Sequence, residues 1–152
     1  MKWQGDIHCK VCGADEDTDH VIFSCSVARY QWMLIRDVLN WESVPTSIES
    51  FLRISLHSKL NNSKISQKVV LLVLGAVVWC IWLARNDLVF NNRFPSSIFA
   101  LTFKSILLLQ KWALLSKVSD REVLKSLMEA IRIKSLELQH EERRGVSVGE
   151  RG

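Results

Sequence analysis

Proline and glycine are scarce in this chain, two and six among 152 residues, which excludes a collagen-like or Pro/Gly-rich low-complexity polymer. Long apolar runs are missing as well. The longest uncharged stretch, residues 69–84, is closed by Lys68 and Arg85 and covers about 16 positions, short of the roughly 20 that cross a bilayer. It reads as a buried core helix, and no integral membrane span is expected. The opening residues, MKWQGD, hold no apolar run able to act as a signal peptide. The expected address is therefore a reducing intracellular compartment, nucleus and cytoplasm being indistinguishable. There, four cysteines bind metal more readily than they pair as disulfides. Neither sign of charge dominates: 20 Lys and Arg face 16 Asp and Glu, and a net +4 does not by itself point to a polyanionic partner. What is present is a 48% hydrophobic fraction with 24% charged residues, enough for one domain with a real core.

Charge divides the chain unevenly. Residues 1–25 hold two basic and five acidic side chains, and the remainder holds 18 basic and 11 acidic, about −3 against about +7. Three of the four cysteines lie in the acidic part. The expected organisation is a small Cys/His unit over 1–25, a helical body over 26–139 and a polar, frayed tail over 140–152.

The body reads as helices throughout. Ala28, Trp32, Ile35 and Leu39 fall on one helical face after Ser26, a candidate N-cap. Thr46 and Glu49 have capping-box spacing ahead of Phe51 and Leu52, and Asn61-Asn62-Ser63 breaks the chain again. A helix from Ser66 to about Phe90, apolar on nearly all faces, ends at Asn91-Asn92-Arg93 and Pro95. Ser96 or Ser97 caps the next, with Ile98, Leu101, Ile106, Leu109 and Trp112 as its apolar side. Ser119 and Glu122 form a second capping-box pattern before Val123, Leu127, Ile131 and Leu138. The expected fold class is mainly α: a small N-terminal zinc knuckle followed by an irregular helical bundle.

Chemistry concentrates in Cys9-Lys10-Val11-Cys12-Gly13, followed by His20 and Cys25, a C-x2-C-x7-H-x4-C pattern. Two cysteines separated by two residues grip one ion from a tight turn, and Gly13 supplies the flexible position after it. His20 and Cys25 complete the tetrahedron that zinc prefers in structural sites, with no position left open for water. Three cysteines within 17 residues beside a fitting histidine favour metal over free thiols. His8 is a substitute for His20 at poorer spacing. Cys80, inside the apolar run, reads as a small buried hydrophobe.

The loop between Cys12 and His20 carries Asp15, Glu16, Asp17 and Asp19, which would repel phosphates. Trp3 or Phe23 has the chemistry to stack on a base, but covering the metal site is the preferred role. Arg29, Arg36, Lys104, Lys111, Arg132 and Lys134 fall on separate helices and read as solvated faces. Trp79 and Trp82, three apart, read as core.

At these residues the chain resembles the zinc-binding region of plant non-LTR (LINE-type) retrotransposon reverse transcriptases. The matching stretch is CKVCGADEDTDHVIFSC, with Ala28 and Trp32 opening the next helix, and IWLARNDLVFNN (81–92) is similar to the W-x-x-R-N-x-x-x-F segment found downstream. The resemblance covers about residues 3–118. It implies Cys9, Cys12, His20 and Cys25 as metal ligands, and a region following the polymerase that helps to hold template nucleic acid. There is no Tyr-x-Asp-Asp polymerase motif, since the single tyrosine, Tyr30, precedes Gln31 and Trp32. Nor is there a set of clustered carboxylates for two-metal phosphoryl chemistry. Neither His57 nor His140 has a nucleophile at recognisable spacing. The expectation is a non-enzymatic zinc-binding fragment of a reverse-transcriptase-like protein, with weak RNA or DNA binding as a candidate activity. The alternative is a protein-interaction or self-associating module using the apolar 69–84 helix, which loses its cover when removed from its polyprotein.

Overall fold

A computed structural model describes residues 6–57 and 65–149. Within them a π-helical turn, His20–Ser24, precedes five α-helices: α1 Ser26–Leu39, α2 Ile48–His57, α3 Gln67–Asn91, α4 Ile98–Ala113 and α5 Val118–Gly149. The strand-like geometry among the described residues is a single isolated antiparallel bridge, His8 with Asp15. The fold is thus mainly α, with a Cys/His knuckle ahead of a helical bundle. Trp3, Asn61-Asn62-Ser63 and residues 150–152 lie outside the described residues.

Local chemistry sets most helix ends. Ser66 and Ser97 accept from the backbone N–H of Val69 (3.3 Å) and Ala100 (3.2 Å), capping α3 and α4. Asn40 (φ 54°) and Asn92 (φ 53°) end α1 and α3 in the left-handed conformation that asparagine tolerates better than most residues. Three starts differ from the sequence reading, α1 and α2 by one residue and α5 by two. Cys25, not Ser26, occupies the position before α1. At α2 the reciprocal cap belongs to Ser47 and Ser50: Ser50 N–H donates to Ser47 Oγ (3.1 Å) and Ser47 N–H to Ser50 Oγ (2.9 Å). Glu49 faces solvent instead and pairs with Arg53 one turn on, at 2.7 Å. α5 begins at Val118, ahead of Ser119, with Arg121 N–H bonded to Lys117 O (3.0 Å), and the Arg121 side chain reaches back to the carbonyls of Ser116 and Leu114 (both 2.9 Å), tying down the α4–α5 turn.

α5 also runs past the expected break at His140 to Gly149. Glu141, Glu142, Arg143 and Arg144 are all good helix formers and supply no stop signal.

α3 is the organising element, packing on α4, α5, α1 and the π-helical turn. Val69, Val70, Val73, Leu74, Ala76 and Val77 are buried along it, as are Cys80, Ile81 and Ala84. A buried polar link joins α1 to α4: Thr102 Oγ1 donates to Gln31 Oε1 (3.0 Å), and Gln31 Nε2 donates to the Ile98 carbonyl (3.2 Å). α3 is long and apolar enough to cross a membrane by composition, yet half of its most apolar window is buried inside the protein.

Its two tryptophans do not follow the core reading. Trp79 and Trp82 are 50% and 44% exposed. A helix apolar on every side needs neighbours on every side, and α3 leaves Leu71, Trp79, Trp82, Leu83 and Phe90 on its exposed side. Cys9, Phe23 and Cys25, ahead of α1, belong to the same buried cluster as Trp32, Val73 and Leu109.

Candidate metal centre

The knuckle is built by backbone bonds around the first cysteine. Gly13 N–H donates to Cys9 O and Cys9 N–H to Ala14 O, each at 2.8 Å, and Glu16 N–H closes the loop onto Ile7 O at 2.8 Å. Gly13 sits at φ +78°, in the left-handed region, with open space where a Cβ would project. Its glycine is therefore required by the backbone turn and not by crowding. Asp17 Oδ1 accepts from His20 N–H (2.7 Å), starting the π-helical turn that carries His20. Cys25 N–H returns to His20 O at 2.8 Å, so the histidine and the last cysteine are fixed to one another by a single turn.

Those turns bring Cys9, Cys12, His20 and Cys25 together, their ligand atoms all lying within 4.8 Å of one another. Cys9 Sγ and Cys25 Sγ are 3.8 Å apart, and Cys12 Sγ is 3.3 Å from His20 Nε2. A tetrahedron with bonds of about 2.3 Å to sulfur and about 2.0 Å to nitrogen has edges of roughly 3.8 Å (S–S) and roughly 3.5 Å (S–N). The donor set fits one tetrahedral ion. Cys9 and Cys25 are buried, whereas Cys12 is exposed.

Burial pushes the Cys25 thiol up to about 11, while the Ala14 N–H directed at Cys12 lowers that thiol from its ordinary value. Without a cation the buried sulfur holds its proton. A bound metal must displace it.

His8 is excluded as a substitute ligand. Its Nδ1 lies 3.2 Å from Asp15 Oδ1, outside the cluster. Cys80 is buried apart from the cluster, its thiol raised by burial.

The acidic loop has structural work that its composition does not reveal. Asp19 Oδ1 accepts from Ile48 N–H (3.0 Å) and so caps α2 across the molecule. Glu16 forms a partly buried ion pair with Arg85 of α3, and ahead of the loop Asp6 accepts from His8 N–H (2.9 Å). Phe23 is 3% exposed, stacked on Trp32 at 5.8 Å and near Phe51 at 5.6 Å, so its ring is not available to a base. Trp32 donates its indole N–H to Ile22 O at 2.7 Å, tying α1 to the turn between His20 and Cys25. No spacing rule links Glu16 to Arg85 or Asp19 to Ile48, and sequence reasoning missed both. The only hint lay in Arg85 itself, a charge at the end of an apolar run.

Of the basic residues read as scattered, Arg36 pairs with Asp37 (2.7 Å), Lys134 with Asp37 (3.7 Å) and Arg132 with Glu129 (2.5 Å). Lys104 and Lys111, by contrast, line one groove.

No family model matches the chain, and no curated protein or solved structure matches it either.

Proposed function

We propose that the chain is a non-enzymatic, zinc-binding helical module, a fragment or derivative of a reverse-transcriptase-like retroelement protein, with weak affinity for single-stranded RNA or DNA. The observation that carries this reading is that its two motif segments meet. Glu16, in the loop between Cys12 and His20, pairs with Arg85 of the W-x-x-R-N segment, and Cys9, Cys25, Ile81 and Ala84 line one small cavity between knuckle and α3. A resemblance carried by two separate stretches gains weight when those stretches form one joint.

Zinc is the metal this donor set suits best. Three soft thiolates and an imidazole at tetrahedral spacing select zinc over hard, oxygen-seeking cations, and four protein ligands leave no open position for a catalytic water. Such a site, dependent on free thiols, belongs in a reducing compartment, nucleus or cytoplasm. Arg85 neutralises Glu16, whereas Asp17 and Asp19 keep their charge as caps, so a nucleic-acid strand would bind away from the acidic loop.

The test combines metal analysis of the purified chain with mobility shifts on single-stranded RNA and DNA. One zinc per chain is expected, with a shift at low salt that fades as salt rises. A zinc-free chain purified without chelators would remove the metal part. No shift at low salt would remove the nucleic-acid part.

A second reading, a protein-interaction or self-associating module, is favoured by one observation, the half-exposed Trp79 and Trp82 on α3.

A further inference from the structure

On the side where α3 meets α4, the two helices enclose a groove of about 580 Å³. Trp79, Leu83 and Phe90 line it from α3, and Lys104, Leu107 and Lys111 from α4. Its apolar lining is open to solvent: Trp79 is 50% exposed, Leu83 46%, Leu107 58% and Phe90 73%. Four large apolar side chains left exposed along one groove are the kind of surface on which partners dock. The polar groups say more about the partner. Neither Lys104 nor Lys111 has an ion-pair partner among the described residues. The one carboxylate in the lining, Asp87, accepts from the Asn91 carboxamide at 2.7 Å.

Four exposed positions on and just beyond α4 share a period, with Gln110 exposed beside them. Lys104, Leu107 and Lys111, with Leu114 just past the helix end, recur at intervals of three, four and three, all exposed. That is the spacing at which one helix seats against another. The two lysines stand seven residues apart, about 10.5 Å along the axis. They match two acidic side chains seven apart on a facing helix.

We propose that the α3–α4 groove docks an amphipathic helix of another protein, apolar on the face that enters the groove and acidic along its flank. This rests on the interaction reading above and is independent of the metal. A second copy of the chain fits the charges poorly. A two-fold antiparallel pairing of the α4 stripes, centred between Leu107 and Leu108, sets Lys104 of one copy beside Lys111 of the other, where like charges repel.

The test uses the full chain and three labelled three-heptad helical peptides. They share a leucine face and differ only in flanking glutamate, glutamine or lysine, with binding read by fluorescence anisotropy and oligomeric state by light scattering. The glutamate peptide is expected to saturate at one per monomer, with the lysine peptide weaker by at least about tenfold. The K104E/K111E double variant should invert that order, and Leu107→Glu should abolish binding, with circular dichroism unchanged because all three positions are exposed. Equal binding of the three peptides would overturn the acidic partner while leaving an interaction surface. A wild-type dimer turned into a monomer by Leu107→Glu would make the occupant a second copy. Displacement of the peptide by oligo-dT, lost in K104E/K111E, would make it nucleic acid. A monomer that binds no peptide would overturn the proposal and the interaction reading together.

Discussion

Replacing Trp32 with phenylalanine should destabilise the chain by about 2–4 kcal/mol and weaken its metal centre at the same time. Trp32 is wholly buried, its ring 5.8 Å from Phe23 and 5.4 Å from Phe51. Its indole N–H supplies a 2.7 Å hydrogen bond to the carbonyl of Ile22, which lies in the turn between His20 and Cys25. Phenylalanine keeps the ring packing but has no donor. The orphaned carbonyl costs about 1–3 kcal/mol, and the void left by the smaller ring adds roughly 1 kcal/mol or more. At about 2–4 °C per kcal/mol for a chain of this size, the melting temperature should fall by roughly 5–15 °C. Thermal unfolding followed by circular dichroism reads the first effect, and zinc competition against a chromogenic chelator reads the second. Trp79→Phe, at a half-exposed position on α3, is the control and should change neither. A W32F chain melting within about 1 °C of wild type, with the same zinc affinity, would refute the reasoning. It would mean that the Ile22 carbonyl finds water and that the turn does not depend on α1.

Cys12→Ser and His20→Ala should each abolish stoichiometric zinc and loosen the knuckle while most helical circular dichroism persists, whereas His8→Ala should retain one zinc per chain. Metal analysis and far-ultraviolet spectra of the three variants separate these outcomes. Glu16→Gln should cost about 2 kcal/mol by breaking its charge-assisted pair with Arg85, and a double-mutant cycle with Arg85→Met should return a coupling of similar size. Additivity within about 0.5 kcal/mol would mean that the pair does not hold the knuckle to α3. Acidification should release the metal. The Cys25 thiol, held up to about 11 by burial, is protonated without a cation, so binding expels protons and the stability contributed by the metal is lost as pH falls. Apparent zinc affinity should drop by about tenfold or more per pH unit, measured by competition across the acidic range, and a flat profile would argue against thiolate ligation.

The Cys/His cluster is legible in the amino-acid order because its geometry is local. Cys9 and Cys12 are joined by one turn, His20 and Cys25 by another, and both turns close with backbone bonds inside a short segment. The same locality makes most helices legible, since Ser66 and Ser97 satisfy amides three residues on and Asn92 ends α3 through its own backbone angle. At α2 and α5, where the boundaries depart from the spacing patterns, a competing partner sits near the helix end. Ser50 outreaches Glu49 at α2, and at α5 Arg121 holds the Ser116 and Leu114 carbonyls of the preceding turn.

By itself the sequence determined a four-residue Cys/His cluster, a mainly helical chain and a central helix too apolar to stand alone, because each follows from residue type and spacing along a few turns. Only the tertiary structure decided which sides of that helix are covered. Burial of Val73 and exposure of Trp79 cannot be told apart by hydrophobicity when every face of α3 is apolar; the positions of α1, α4 and α5 make the difference. Tertiary packing likewise set Glu16 against Arg85, and placed Lys104 and Lys111 on one groove with Trp79 and Phe90. Pairings between distant segments depend on how helices cross in space, and periodicity along one helix does not determine that crossing.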